Sequence, residues 1–269
     1  MNRYGVVGVI EAILLVALFG IILATIQLTY IPSLMENREA EHMSTVSNQF
    51  SQLKLAIDLH SVSRSNFSIS VPLTLGSREI PYLVTARSLG EVSIIENAFK
   101  ISVKTASGYS NFSLGIIRYN ANNVYYVRQS YILECGAVLL RQSGSYDSML
   151  SPPTFSAKKS GNTISLSLLA VNISSYANRS TESGLDTTYI RTNYSSMSSF
   201  DFHDIESLTI YTYYPDPWFR FLNYSIDNCT VTEYDNRVVA KPESGYQTDL
   251  HLDVIKIYAQ IGRGWIGNL

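Results

Sequence analysis

Charge is scarce in this chain. Asp, Glu, Lys and Arg make up 16% of its 269 residues, well below the ~25% of ordinary soluble domains. The net charge is −2, which leaves no basic excess for nucleic acid as a partner. Cysteine occurs twice, at Cys135 and Cys229. The chain therefore holds at most one internal disulfide, and spacing does not decide between that bond and two buried small side chains. None of the four histidines, His42, His60, His203 and His251, has metal-ligand spacing to another histidine or to a cysteine. There is no Gly-x-Ser-x-Gly, no phosphate-binding Gly-rich loop and no His-Glu-x-x-His. An enzyme, a cofactor and a metal centre are accordingly not expected. No strand–helix alternation and no fixed repeat period is visible, which argues against a doubly wound α/β fold.

What the chain does have is a long uncharged run near its start. Glu11 is followed by no charge until Glu36. The twenty residues from Ala12 to Ile31 would span ~30 Å as a helix, one bilayer core. Arg3 and the amino terminus precede the run, and Glu36, Arg38, Glu39 and Glu41 follow it. That bias favours an inside N-terminus and an external C-terminal part at the cell membrane or surface. The run exceeds the ~7–15 apolar residues of a removable secretory signal.

Beyond it the period of the pattern is that of an amphipathic helix. Met43, Val46, Phe50, Leu53 and Ile57 recur at spacings of three and four, one stripe that the following domain of the same chain should cover. Glu39, Glu41, Ser44, Ser47, Gln52 and Lys54 fall on the other faces. Pro32 should interrupt the helix between the apolar run and the stripe. From Val62 the period becomes two, as in Asn66–Val71, Lys100–Lys104, Asn162–Leu168, Leu208–Tyr213 and Asp249–Val254. Turn residues at Ser107-Gly108, Asn122-Asn123, Ser160-Gly161-Asn162, Asp235-Asn236 and Ser244-Gly245 separate such runs. The expected fold is α+β: a long N-terminal helix, apolar and then amphipathic, followed by a mostly antiparallel β-sandwich-like head of about ten strands. Its parts are residues 1–35, the leader and membrane or filament-core helix; 36–62, the amphipathic helix; and 63–269, the external β domain.

Seven of the seventeen Asn head an N-x-[ST] sequon: Asn66, Asn111, Asn172, Asn178, Asn193, Asn223 and Asn228. Roughly three would arise by chance in so Ser/Thr-rich a chain, so the excess points to glycosylation of an exposed surface, with chance matches on polar strands as the plainer reading. Asp201, Asp204 and Glu206 surround His203, a cation-binding composition that more often marks a solvated turn. The segment Tyr211–Phe221 packs aromatics around Pro215 and Pro217. Buried, it closes a core at a Pro-rich corner; exposed, it stacks on sugars or grips a partner.

The stretches Val7-Gly8-Val9-Ile10-Glu11-Ala12-Ile13-Leu14-Leu15-Val16, Ile31-Pro32, Glu39–Met43 and Val46–Asp58 resemble archaeal type IV pilin-like proteins. So do Asn123–Val127, Tyr131–Leu140, Met149 and Pro152-Pro153; together these cover roughly the first 170 residues. The resemblance implies a structural cell-surface role, either as a filament subunit forming a homo-oligomer or as a member of a pilus-like complex. It also implies leader processing beside Gly5 or Gly8, and pairing of Glu11 with a neighbouring subunit's amino terminus. This chain departs from the family pattern, which often has Glu at the fifth mature position. Gly5 would place Glu11 sixth and Gly8 would place it third, and Arg3 is the one basic residue ahead of either. A signal-anchored ectodomain that binds sugars or envelope partners, with Glu11 among lipid headgroups, is the rival reading.

Overall fold

The computed structural model describes residues 3–77, 88–177 and 179–262, with the backbone alone for residues 3–7. The chain starts with helix α1 (Arg3–Thr25), passes through a five-residue π-helical turn (Ile26–Tyr30) and continues as α2 (Ile31–Ser63). Gly8–Ser63 is one continuous rod of 56 residues. Pro32 does not break the helix as expected; a π turn lies just ahead of it. Proline's ring would clash with the carbonyl four residues back, and a wider turn relieves that crowding. The Ile31 N–H bonds to the Ile26 carbonyl, one residue further back than in an α-helix, while Thr25, Tyr30 and Ile31 keep right-handed helical dihedrals. The rod ends at Arg64 in the left-handed region (φ 49°), its N–H capping the His60 carbonyl.

The head is mostly antiparallel β. Its strands are β1 (Ser68–Thr74), β2 (Leu89–Thr105), β3 (Gly108–Asn122), β4 (Gln129–Glu134), β5 (Ala137–Gln142), β6 (Ser148–Ser151) and β7 (Phe155–Ser160). These are followed by β8 (Thr163–Ser175), β9 (Thr181–Gly184), β10 (Thr187–Phe202) and β11 (Ser207–Tyr211). Helix α3 (Pro215–Ser225) precedes β12 (Cys229–Tyr234), β13 (Arg237–Pro242) and β14 (Gln247–Ile261). One sheet has the order β1-β10-β14-β8-β7. The other runs β12-β13-β11-β2-β3-β4-β5-β6, with β9 added beside β2. Parallel pairing occurs between β8 and β14, from Thr163↔Gln247 to Ser175↔Ala259. A parallel neighbour needs a crossover, and β9 to β13 supply it.

The apolar interior falls into two clusters. One gathers Met43, Val46, Phe50, Leu53 and Ile57 of α2 with strand residues such as Val71, Tyr119, Tyr131 and Ile257. The other holds Phe99, Ile101, Leu114, Ile132, Leu166, Leu252 and the α3 side chains Trp218 and Leu222. The two faces of the β2–β3 ladder serve different clusters: Val92, Ile94, Ile117 and Tyr119 alternate to the α2 side, and Phe99, Ile101, Leu114 and Ile116 to the other. The two sheets nearly touch at Gly115, where an added Cβ would lie 1.9 Å from the Ile173 carbonyl oxygen.

Two readings left open by the sequence are decided here. Cys135 and Cys229 do not bond: both are free thiols, the first buried. Cys135 (φ 51°) and Gly136 (φ 81°) form the two-residue β4–β5 turn, whose positive dihedrals suit the strand twist, so Cys135 is held by its hairpin. The Tyr211–Phe221 corner contains the start of a helix. Pro215 and Pro217 sit at its first turn, where a missing N–H costs nothing, and Trp218 is fully buried.

Candidate functional site: an uncovered apolar rod fixed to its head

Every residue from Gly8 to Tyr30 is exposed, on all sides of the helix. Over the same stretch lie Ile13, Leu14, Leu15, Val16, Leu18, Phe19, Ile21, Ile22 and Leu23, with nothing against them. This helix is long and apolar enough to cross a membrane. Twelve Leu, Ile, Val and Phe side chains lie between Ala12 and Ile31. At ~0.3–0.6 kcal/mol each they favour insertion by roughly 4–7 kcal/mol, against ~2.5–3.5 for a carboxylate even at the span's centre. By this balance the stretch remains apolar enough to span wherever Glu11 sits. Thr25 adds no cost of its own, since its hydroxyl donates to the Ile21 carbonyl at 2.9 Å. Glu11 is exposed at the first third of the rod, and Gly5 and Gly8 lie within α1.

The other half of the rod is built into the head. Phe50 is fully buried, its ring 5.4 Å from Tyr131 and 6.4 Å from Tyr119. Polar contacts flank the apolar seam. Gln49 accepts the Thr74 N–H at 2.9 Å and donates to the Thr74 hydroxyl at 3.1 Å. His42 Nε2 lies 3.0 Å from the Thr74 carbonyl, and His60 Nε2 lies 3.1 Å from Thr192 Oγ1. Burial lowers the pKa of both imidazoles; the bonds to Thr74 and Thr192, and Glu39 beside His42, offset this in part.

Glu39 carries the firmest contact, and it corrects the sequence reading. It belongs to no solvated face but is fully buried. Its carboxylate accepts the N–H groups of Val124, Tyr125 and Tyr126 at 3.0, 2.8 and 2.6 Å. Three successive donors converge on one anion, much as at a helix N-terminus. The loop after β3 is thereby tied to the rod close to where the rod leaves the head. Lys54, also placed on an outer face, is buried beside Asp58 with contacts of 2.5 and 2.7 Å.

A second fully buried carboxylate, Glu134, lies at the end of β4. Glu134 Oε1 accepts from Trp218 Nε1 at 2.6 Å and from Thr212 Oγ1 at 2.8 Å, while Oε2 has no partner among the described residues. Burial pushes its pKa up to about 7 against those two hydrogen bonds. Burial likewise raises the neighbouring Cys135 thiol far above its ordinary range, so it is protonated and inert.

The other sequence-derived candidates scatter. Asn66, Asn111 and Asn223 are exposed. Asn193 is only 2% exposed, so a glycan has no room there. Asn172 is half-buried and its Oδ1 takes the Gly115 N–H at 2.9 Å. Asn228 is half-buried and accepts from Lys159 at 2.6 Å. Asn178 lies outside the described residues. Asp201 pairs with His251 at 2.6 Å and Glu206 with Lys104 at 2.5 Å. No three His, Cys, Asp or Glu side chains are placed to hold a metal among the described residues. Compared with protein families, with characterised proteins and with solved structures, the chain matches none.

Proposed function

We propose that this chain is a pilin-like structural protein of the cell surface, assembling through its apolar rod into a filament or pilus-like complex. One observation carries the reading. A single continuous helix is exposed on all sides from Gly8 to Tyr30 and packs one face on the head from Ile31 to Ser61. The bare part must be covered by lipid or by copies of itself, and the same rod can pass from one cover to the other without refolding the head. The Glu39 clamp and the Phe50 seam support this, because they fix the head's position on the rod, as a repeating subunit requires.

Glu11 separates assembly from simple anchoring. In a packed bundle of rods its carboxylate is desolvated and must pair or take up a proton. A neighbouring subunit's amino terminus is the cation the apolar region offers after processing. Glu11→Ala is expected to leave the membrane-inserted pool intact and to reduce filament incorporation severalfold, read by comparing sheared surface filaments with membrane fractions. Normal filaments in the mutant would overturn the pairing role. A signal-anchored ectodomain, the alternative, would show no effect of the change and no filaments in wild type.

A further inference from the structure

We propose that the head carries a separate binding site, a trough for neutral oligosaccharides on the face of the larger sheet turned away from α2. Four adjacent strands each place one polar residue in a single row. Glu91 on β2 stands opposite Asn120 on β3, Asn120 opposite Ser130 on β4, and Ser130 opposite Arg141 on β5. Strands lie ~4.8 Å apart, so the row spans roughly 14 Å. Their neighbours along the chain, Val92, Tyr119 and Tyr131, are buried in the cluster beneath α2, and the alternation of strands then turns the row outward. All four line one groove of about 860 Å³, within the range of small-ligand sites. The Asn120 amide and the Ser130 hydroxyl make no side-chain hydrogen bond among the described residues, so their donors and acceptors are open to a ligand.

Charge selects the ligand class. The groove's lining holds Arg128 and Arg141 against the carboxylates Glu91, Asp147, Asp216 and Glu233. Arg220 adds a third cation, bonded to Asp216 at 2.7 Å, so the charges nearly balance and offer a polyanion no basic patch, and the polar lining gives an apolar ligand little to bury against. Alternating amide, hydroxyl and charged groups suit the paired donor-acceptor hydroxyls of a sugar ring. Tyr146 adds the other half of sugar recognition. It lines the groove with 77% of its surface exposed. The Arg220 guanidinium lies over the ring at 5.2 Å, which steadies it and leaves the opposite face free to stack on the C–H face of a pyranose.

The trough lies on the head and is independent of rod assembly, so Glu11→Ala should not change binding. The full chain, held in a detergent without a sugar headgroup, is titrated by calorimetry with maltotetraose, cellotetraose and mannotetraose, and with a heparin tetrasaccharide and tetralysine as charged controls. At least one neutral tetrasaccharide should bind. Asn120→Ala and Tyr146→Ala, both at accessible positions, should each weaken it tenfold or more with unchanged thermal melting. Binding of none of the neutral sugars, binding only of heparin or tetralysine, or neutral binding that survives both substitutions would each overturn the trough.

Discussion

Glu134 and the two buried histidines give this head opposite pH limbs. A carboxyl held at about 7 when folded and near 4.5 when unfolded binds its proton more tightly in the native state. Its contribution is complete below the unfolded value and is lost as pH rises through about 7, a difference of roughly 3 kcal/mol. His42 and His60, with pKa lowered by burial, work the other way: their contribution is present above the ordinary 6.5 and is lost as pH falls through the lowered values. Denaturant titrations between pH 5 and 8 should show the alkaline loss in wild type and its absence in Glu134→Gln, whose Oε1 still accepts from Trp218 and Thr212. An unchanged alkaline slope in that variant would refute the assignment. Glu39→Ala removes a fully buried acceptor from three part-buried N–H groups, so a loss of roughly 1–3 kcal/mol is expected in the same measurement. Among the sequons, peptide mass spectrometry of native protein should find modification at exposed Asn66, Asn111 or Asn223 and none at Asn193. A modified Asn193 in folded protein would contradict its burial.

At the level of elements, α2 is the joint on which the head depends. Phe50→Ala removes a fully buried ring between Tyr119 and Tyr131 and should destabilise the head by ~3–5 kcal/mol in chemical unfolding; a loss below 1 kcal/mol would mean that the seam does not hold rod and head together. This seam was legible in the sequence because Met43 to Ile57 keep helical spacing without a break. The strands were legible for the same reason, through their period of two. Their directions were not: Thr163–Ser175 and Gln247–Ile261 alternate alike whether they run parallel or antiparallel. Helix α3 was hidden because Pro215 and Pro217 read as breakers, yet both occupy the one turn that tolerates them. Glu39 was assigned to an outer face because its partners lie 85 to 87 residues away, beyond anything local periodicity encodes. Glu134 drew no reading for the same reason, with Trp218 84 residues distant.

The whole molecule is a rod with one half clothed and the other bare. Residues 8–30 at ~1.5 Å each give a bare length of roughly 35 Å, sufficient for a bilayer or for the centre of a helical bundle. The head is attached beyond that length, so stacking rods side by side would leave the heads on the outside. Electron cryomicroscopy of the native cell surface, with the chain identified in the sheared material by mass spectrometry, decides between assembly and anchoring. The expected result is a filament whose interior density is a bundle of the Gly8–Tyr30 helices and whose exterior is formed by the β heads. A surface on which the chain is abundant but dispersed as single membrane-held molecules, with none in filaments, would contradict it.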